Sequence, residues 1–454
     1  MQWAIERIEL LNPTLNAVIT PLYDQALAAA AAPPTGPLAG IPFLVKDLVA
    51  EVAGAPFSEG SRFVRGTVSH YDSELVRRLR RAGLLIMGKT NTPEFGMVPT
   101  CEPLAFGPTR HPWDTGRSTS GSSGGVGRGR RLGDGADGAR QRSRWIAAVP
   151  ASACGLFGLK PTRARNPLGP EYGDAINGWA CEHALTRSVR DSAALLDPAG
   201  PAAGDPYGVS QPGRRFADEV GADPGRLRIG YTARTPDGAP RHPDCVAALD
   251  DAVALCAALG HEMIEADLPG LTPEVGSAIG TVFVAATAWI VQYWIRRLGR
   301  CPADDEFEPL TRAYWERGEQ VSAAGYLLAI EDCQAFARVV ARFLTGIDVW
   351  LTPTLSTPPL RIGEIASTPQ EPMRSARSGA TTVAYAGVVA NITGNPAMSV
   401  PLWWNADGMP IGVHFLGRYG DEATLLRLAG QLETARPWSG RRPPHSVAEV
   451  IRSG

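Results

Sequence analysis

The chain has 454 residues, of which 44% are hydrophobic, and a formal net charge of −2. This near-neutral balance argues against a general role in binding nucleic acid or a membrane surface. The seven cysteines have no metal-binding spacing, so they predict reduced thiols, a cytoplasmic location and no structural zinc. The sequence shows no evident membrane-spanning run and no signal-peptide pattern.

Helical and strand patterns alternate along the N-terminal part of the chain. Residues 3–31 predict two helices with a break at Asn12-Pro13, and 40–47 predict an apolar strand that ends in two charges. A helix capped by its first residue is expected over 72–82, and a short buried strand over 84–87.

The C-terminal part continues the alternation. Strands are expected over 227–231, 263–266, 348–353 and 412–416, and helices over 244–259 and 424–433. The first two strands and the helix between them predict a strand–helix–strand crossover. Residues 198–224 are rich in Pro and Gly and are expected to form a surface excursion. The whole pattern predicts a single α/β domain over residues 1–454.

Two short motifs suggest functions that their surroundings do not support. Residues 83–90 match the phosphate-loop pattern GxxxxGK[ST], but the four variable positions are Leu, Leu, Ile and Met, which favour a buried strand. Residues 121–125 match the hydrolase elbow G-x-S-x-G, but the loop at 110–117 replaces the strand that an elbow needs. None of the seven histidines has the context of a catalytic base.

A lysine and a serine offer a third interpretation. Lys46 ends the apolar strand, where burial would disfavour its ammonium form and let it act as a base. Ser122 lies in a Gly/Ser loop that could bring its hydroxyl to this lysine, and serine–lysine pairs are a known alternative to serine–histidine. Taken singly, Lys46 could be a strand-end cation that reaches solvent, and Ser122 part of a plain linker.

Six segments together resemble the amidase signature family. They are residues 40–47, 88–96, 121–125, 158–163, 187–191 and 407–413, in the family's order. Details around Lys46, 88–96 and Pro112-Trp113 look most like bacterial amidases of the 6-aminohexanoate-cyclic-dimer hydrolase type. The resemblance implies a mixed central sheet covered by helices, and hydrolysis of a linear or cyclic carboxamide by a Ser–Ser–Lys triad without cofactor or metal.

The resemblance assigns roles to residues and exposes a gap. Lys46 corresponds to the base and Ser122 to the bridging serine, while the position of the nucleophilic serine is occupied by Ile146. Ser143, Arg144 and Trp145 occupy the oxyanion-hole positions, where bulky side chains would obstruct the substrate. Losing a serine nucleophile can cost on the order of 10⁶ in turnover.

Neither nearby serine is expected to replace the nucleophile. Ser143 lies three residues too early, which displaces it by several Å. Ser123 would face away from Ser122 if the segment is extended. The chain is therefore expected to be an inactive or severely impaired amidase, with a non-catalytic, ligand-binding pseudo-amidase as the alternative.

The anomaly extends over residues 126–148, which keep the family's length but none of its residues. A compensated pair of frameshifts would explain this, because GC-rich codons for Gly125 to Ala147 read one base later can encode the family's Asp-x-Gly-Gly-Ser loop. The alternative is a genuine basic loop, since the segment carries six arginines against two aspartates.

The expected partner is a small-molecule amide, with a homodimer left open and no nucleic acid or membrane. The first helix is expected to be truncated.

Overall fold

The computed structural model describes residues 1–32, 35–122, 140–142, 148–202, 204–235 and 238–444. The strands are β1 (Val18–Pro21), β2 (Pro42–Lys46), β3 (Pro56–Phe57), β4 (Thr67–Val68), β5 (Leu85–Thr90), β6 (Arg140–Arg142), β7 (Phe157–Lys160), β8 (His183–Thr186), β9 (Arg228–Tyr231), β10 (Glu262–Glu265), β11 (Val349–Pro353), β12 (Ala397–Trp404) and β13 (Pro410–Gly417). The α-helices are α1 (Gln2–Leu15), α2 (Tyr23–Ala31), α3 (Glu74–Arg81), α4 (Ala148–Cys154), α5 (Val189–Leu196), α6 (Pro243–Ala258), α7 (Pro273–Leu298), α8 (Pro309–Gly318), α9 (Ala323–Phe343), α10 (Arg374–Thr393) and α11 (Glu422–Ala435).

Among the described residues, eleven strands form one mixed sheet in the order β1-β5-β2-β6-β8-β7-β12-β13-β11-β9-β10. Neighbours are parallel at β5-β2, β2-β6, β11-β9 and β9-β10, and antiparallel elsewhere. The parallel pair β9-β10 with α6 between them is the crossover that the sequence predicts. The α/β class and the mixed sheet are therefore confirmed.

Helices cover both faces of the sheet, and each face has its own buried apolar cluster. On one face, Phe415 of β13 packs with Ala248 of α6 and Leu425 of α11. On the other, the next residue, Leu416, belongs to a cluster with Val282 of α7 and Phe336 of α9. Because side chains alternate along a strand, one strand serves both layers, and all the elements share one domain.

The N-terminal prediction was wrong in its details. Helix α1 continues through Pro13 and ends at Leu15, and the residue after it, Asn16, has a φ of 49°. The short strand β1, which the sequence analysis did not predict, then separates α1 from α2. The side-chain oxygen of Asn12 accepts hydrogen bonds from the backbone N–H groups of Ala17 and Val18. Pairing with β5 therefore decides the conformation of a segment whose surroundings are helical.

Two other expectations need correction. Helix α3 is capped by Ser73 instead of Asp72, whose carboxylate accepts from the backbone N–H of Ala53 at 2.8 Å. Helix α7 is long and apolar enough to cross a membrane by length and composition, contrary to the expectation that no such run exists. Its residues Ile290 and Trp294 are nevertheless fully buried in an apolar cluster of the domain.

Two segments with unusual composition differ in their structures. Of residues 126–148, the described part comprises 140–142 and Ala148: strand β6 lies between β2 and β8, and Ala148 begins α4. Residues 198–224, described except for 203, form no strand and a single 3₁₀ turn at Phe216–Glu219. Most of their side chains are exposed or half-buried.

Candidate active site

The side chains of Lys46 and Ser122 meet inside the protein. Lys46 is the last residue of β2, where it is paired in register with Thr90 of β5. It is 0% exposed and Ser122 is 2% exposed. The Lys46 Nζ donates a hydrogen bond of 2.8 Å to the Ser122 Oγ. An amine and a hydroxyl at this distance are within the range in which a general base can take a proton.

Backbone contacts hold Ser122 from two sides. The backbone N–H of Gly121 donates to the Pro99 carbonyl at 2.5 Å, and the Gly121–Ser122 peptide bond is cis. On the other side, the Thr92 Oγ1 donates to the Ser122 carbonyl at 3.2 Å. Thr92 follows the end of β5, so the strand that borders Lys46 also leads to a residue that binds Ser122.

Position 121 has room for glycine alone. A Cβ atom there would lie 2.3 Å from the Thr100 carbonyl oxygen and 2.5 Å from the Val98 carbonyl oxygen. Both distances are far below the roughly 3.5 Å at which heavy atoms attract one another. Because both obstacles are backbone atoms, a side-chain rotation cannot remove the clash. The loop at 98–100 thus presses directly on the residue before Ser122.

A second buried lysine balances the charge next to Lys46. The Lys89 Nζ lies 3.0 Å from the Asp47 Oδ1, and both side chains are almost fully buried. The Asp47 Oδ2 accepts from the backbone N–H and the Oγ of Ser58, at 3.0 and 2.5 Å. Lys89 also donates to the Ala50 carbonyl at 3.0 Å. The carboxylate adjacent to Lys46 is therefore paired with a different cation.

This arrangement also explains the phosphate-loop pattern. Three of its four apolar positions lie in β5, which is buried at all six residues, and its lysine is the Lys89 that binds Asp47. No glycine-rich turn precedes a helix here, since the strand continues through Thr90. The pattern thus describes a sheet strand, as the sequence analysis expected.

The two most deeply buried histidines are neutral. Burial lowers the pKa of His111 to about 4, and its Nε2 lies 2.7 Å from the Ala153 carbonyl oxygen. Burial, with the positive charge of Lys160 as a second cause, lowers the pKa of His414 to about 3. Within the described ranges, no group of three or more His, Cys, Asp or Glu side chains is arranged to hold a metal ion.

The expected nucleophile position lies outside the described residues. The residues that the structure does not describe include Ile146, the alternative nucleophile Ser123, and the oxyanion-hole positions Ser143, Arg144 and Trp145. The described flanks are β6, which pairs with β2 at Leu44, and α4, which begins two residues after position 146. The structure therefore brings together two of the predicted site residues, Lys46 and Ser122.

Comparison with known proteins identifies the family. A sequence model of the amidase family matches residues 1–426. The chain belongs to the amidase family. A 6-aminohexanoate-cyclic-dimer hydrolase from Paenarthrobacter ureafaciens is 36% identical, over 98% of this chain and 92% of that enzyme. The putative amidase AmiB2 of Mycobacterium tuberculosis is 35% identical, over 97% of this chain and 92% of that protein.

Solved structures agree with this assignment. The structure of a 6-aminohexanoate cyclic dimer hydrolase has a TM-score of 0.92 to this chain at 34% identity, covering 98% of this chain and 94% of that one. The resemblance drawn from six short segments is thereby confirmed over nearly the whole chain. This protein is an amidase-family enzyme with a single amidase domain.

Several contacts around the candidate site were not evident from the sequence. Residues 88–96 belong to the family pattern, but that pattern predicts neither the contact of Thr92 nor the partner of Lys89. The alternation of a strand could have shown that Lys89 and Thr90 point to opposite faces of the sheet. It could not have shown that Asp47 or Ser122 would be the partner, because those contacts depend on the packing of separate segments.

Proposed function

We propose that this amidase-family chain is built to hydrolyse a linear or cyclic carboxamide by acyl transfer to serine and then to water. In this mechanism Lys46 takes a proton and Ser122 relays it. The 2.8 Å hydrogen bond between their buried polar atoms carries the proposal, since it supplies the proton path. The resident groups need no metal or cofactor for these steps.

The nucleophile is the weak point of this proposal. Ile146 has no atom that can attack a carbonyl, and Arg144 and Trp145 replace the glycines whose N–H groups would bind the oxyanion. We therefore propose that the chain as printed is inactive or severely impaired. The alternative is a pseudo-amidase that binds an amide ligand without turnover. The fold and the family membership are compatible with this function as well.

An amide-hydrolysis assay on a repaired variant tests the mechanism. The triple substitution R144G/W145G/I146S restores a Gly-Gly-Ser sequence. The first substrate to test is the cyclic dimer of 6-aminohexanoate, because two relatives are named as hydrolases of this compound. We expect turnover in the repaired variant, and a loss of roughly 10³-fold or more when Lys46→Ala or Ser122→Ala is added. The exposed Ser210→Ala serves as the matched serine control.

The outcomes separate the two functions. Turnover that survives both Lys46→Ala and Ser122→Ala would refute the proposed proton path. Saturable binding of the amide to the unrepaired chain would favour the pseudo-amidase if turnover is absent both after the triple substitution and after residues 126–148 are replaced by the peptide that the alternate frame encodes.

Sequencing the gene across codons 120–152 tests the frameshift hypothesis independently. An alternate frame that encodes the Asp-x-Gly-Gly-Ser loop would support it, and the absence of such a peptide would eliminate it. We also propose a cytoplasmic location and leave a homodimer as an arrangement to be measured by light scattering.

A further inference from the structure

Two carboxyl groups that play no part in the proposed chemistry, those of the buried Glu94 and the half-buried Glu308, lie together near the candidate active site. The Glu94 Oε1 accepts from the Ser61 Oγ at 2.6 Å, and its Oε2 accepts from the backbone N–H of Glu308 at 2.8 Å. The Glu308 Oε1 in turn accepts from the backbone N–H of Leu104 at 2.9 Å. Both side chains line the same small cavity.

These carboxyls hold the two ends of one loop. Glu94 precedes the loop, and the Leu104 N–H that binds Glu308 lies at its far end. In the middle of the loop, the Pro99 carbonyl accepts the 2.5 Å hydrogen bond from Gly121. The neighbouring carbonyls at 98 and 100 fit against the α-carbon of Gly121. The loop of residues 96–104 therefore forms the wall on which the residue before Ser122 rests.

The pair retains protons at a pH where carboxyl groups are ordinarily ionised. Burial raises the pKa of Glu94 to about 7, although its hydrogen bonds oppose the shift. Burial and the neighbouring Glu94 charge raise the pKa of Glu308 to about 8. The other charged groups facing the pair are Arg62, Glu102 and the Arg300–Glu306 ion pair.

We propose that Glu94 and Glu308 form a proton-dependent latch that keeps the loop of residues 96–104 closed against Gly121 and so positions Ser122. Its catalytic consequence rests on the proposed function, but the latch itself does not. With a proton in the pair, at least one carboxyl is neutral. Without it, two negative charges share a poorly hydrated site, and separating Glu308 from Glu94 relieves their repulsion.

The sign of the pH effect follows from the raised pKa values. The closed loop binds more protons than the open one between the ordinary pKa of 4.5 and the raised values near 7 and 8. The closed state is therefore favoured at low pH and loses this advantage as the pH rises through that window. Above about pH 8 the advantage is gone, and further dependence on these two groups ends.

Hydrogen exchange followed by mass spectrometry on the full chain tests the latch without requiring turnover. After correction for intrinsic exchange rates, we expect protection of the amides at 98–104 to fall between pH 5.5 and 7.5 by about tenfold per pH unit for each proton released on opening, and so by up to about a hundredfold where both groups lose their proton. Peptides of α6 should show no such dependence and report that the domain remains folded.

Variants make the test specific to the pair. Glu308→Gln keeps an oxygen for the Leu104 N–H but removes one titrating group, so the fall in protection should become shallower. The double variant E94Q/E308Q should flatten it. Glu306→Gln is the matched control, because Glu306 borders the same cavity but is paired with Arg300 and has a lowered pKa.

The latch would be overturned by protection at 98–104 that is independent of pH in the unaltered chain, or by an unchanged slope in the double variant. The same slope change in Glu306→Gln and Glu308→Gln would also refute it. Because exchange is measured without substrate, a failure here leaves the amidase proposal standing, and inactivity of the repaired variant leaves the latch standing.

Discussion

Replacing Gly121 by alanine is the sharpest test of how the site is held. The added methyl group would lie 2.3 Å from the Thr100 oxygen and 2.5 Å from the Val98 oxygen, so the two backbones must separate by about 1 Å to restore van der Waals contact. Overpacking of this kind costs about 1–3 kcal/mol, and we expect the upper end of that range because neither obstacle is a flexible side chain.

Urea unfolding followed by tryptophan fluorescence measures this loss, with Gly208→Ala as the control. Gly208 is exposed and a Cβ atom there meets nothing within 4 Å, so its replacement should change the free energy of unfolding by less than about 0.5 kcal/mol. Equal unfolding free energies for Gly121→Ala and Gly208→Ala would refute the close packing of the 98–100 loop on the residue before Ser122.

Three further predictions concern buried charges. Glu422→Gln should lower the free energy of unfolding, measured in urea, by about 3–5 kcal/mol, because Arg165, which is 1% exposed, would lose its carboxylate partner. Asp218→Asn, which breaks an exposed ion pair, is the control, and an equal or larger effect of that substitution would contradict the prediction. Burial raises the pKa of Glu422, but the Arg165 guanidinium outweighs this effect and holds that pKa below its usual 4.5. The contribution of the pair to stability is therefore present above pH 4.5 and should be lost as the pH falls below it. Acid unfolding of E422Q, compared with the unaltered chain, measures this loss. Lys89→Met should lower the free energy of unfolding by about 3–5 kcal/mol, because Asp47 would stay buried without its cation. The double variant D47N/K89M should recover part of this loss in thermal unfolding. A double variant less stable than Lys89→Met alone would contradict this and show that Asp47 is stabilised by other groups.

Local patterns in the sequence were enough for much of the fold. The apolar run before Lys46 predicts β2, and the alternation of strand, helix and strand between 227 and 266 predicts β9, α6 and β10. These predictions succeed because the burial of an apolar face leaves a period of two or 3.6 residues in the chain itself. Strand β1 was missed because its four residues owe their conformation to β5, which lies about 65 residues further along the chain.

Family motifs named two residues of the candidate site, but the sequence by itself could not show their contact. Lys46 and Ser122 are 76 residues apart, and their hydrogen bond exists because β2 ends where the loop after Pro99 holds Gly121. The contact between Glu94 and the Glu308 backbone joins residues 214 positions apart and has no periodic signature at all.

The sequence therefore determined the class of fold, the family and the candidate proton path, because each is written in local residue patterns. The tertiary structure alone decided which charges are paired, Asp47 with Lys89 and Glu422 with Arg165, and which carboxyl groups lie close together, as Glu94 and Glu308 do. The physical reason is that burial sets the cost of a charge, and burial depends on which distant segments pack together.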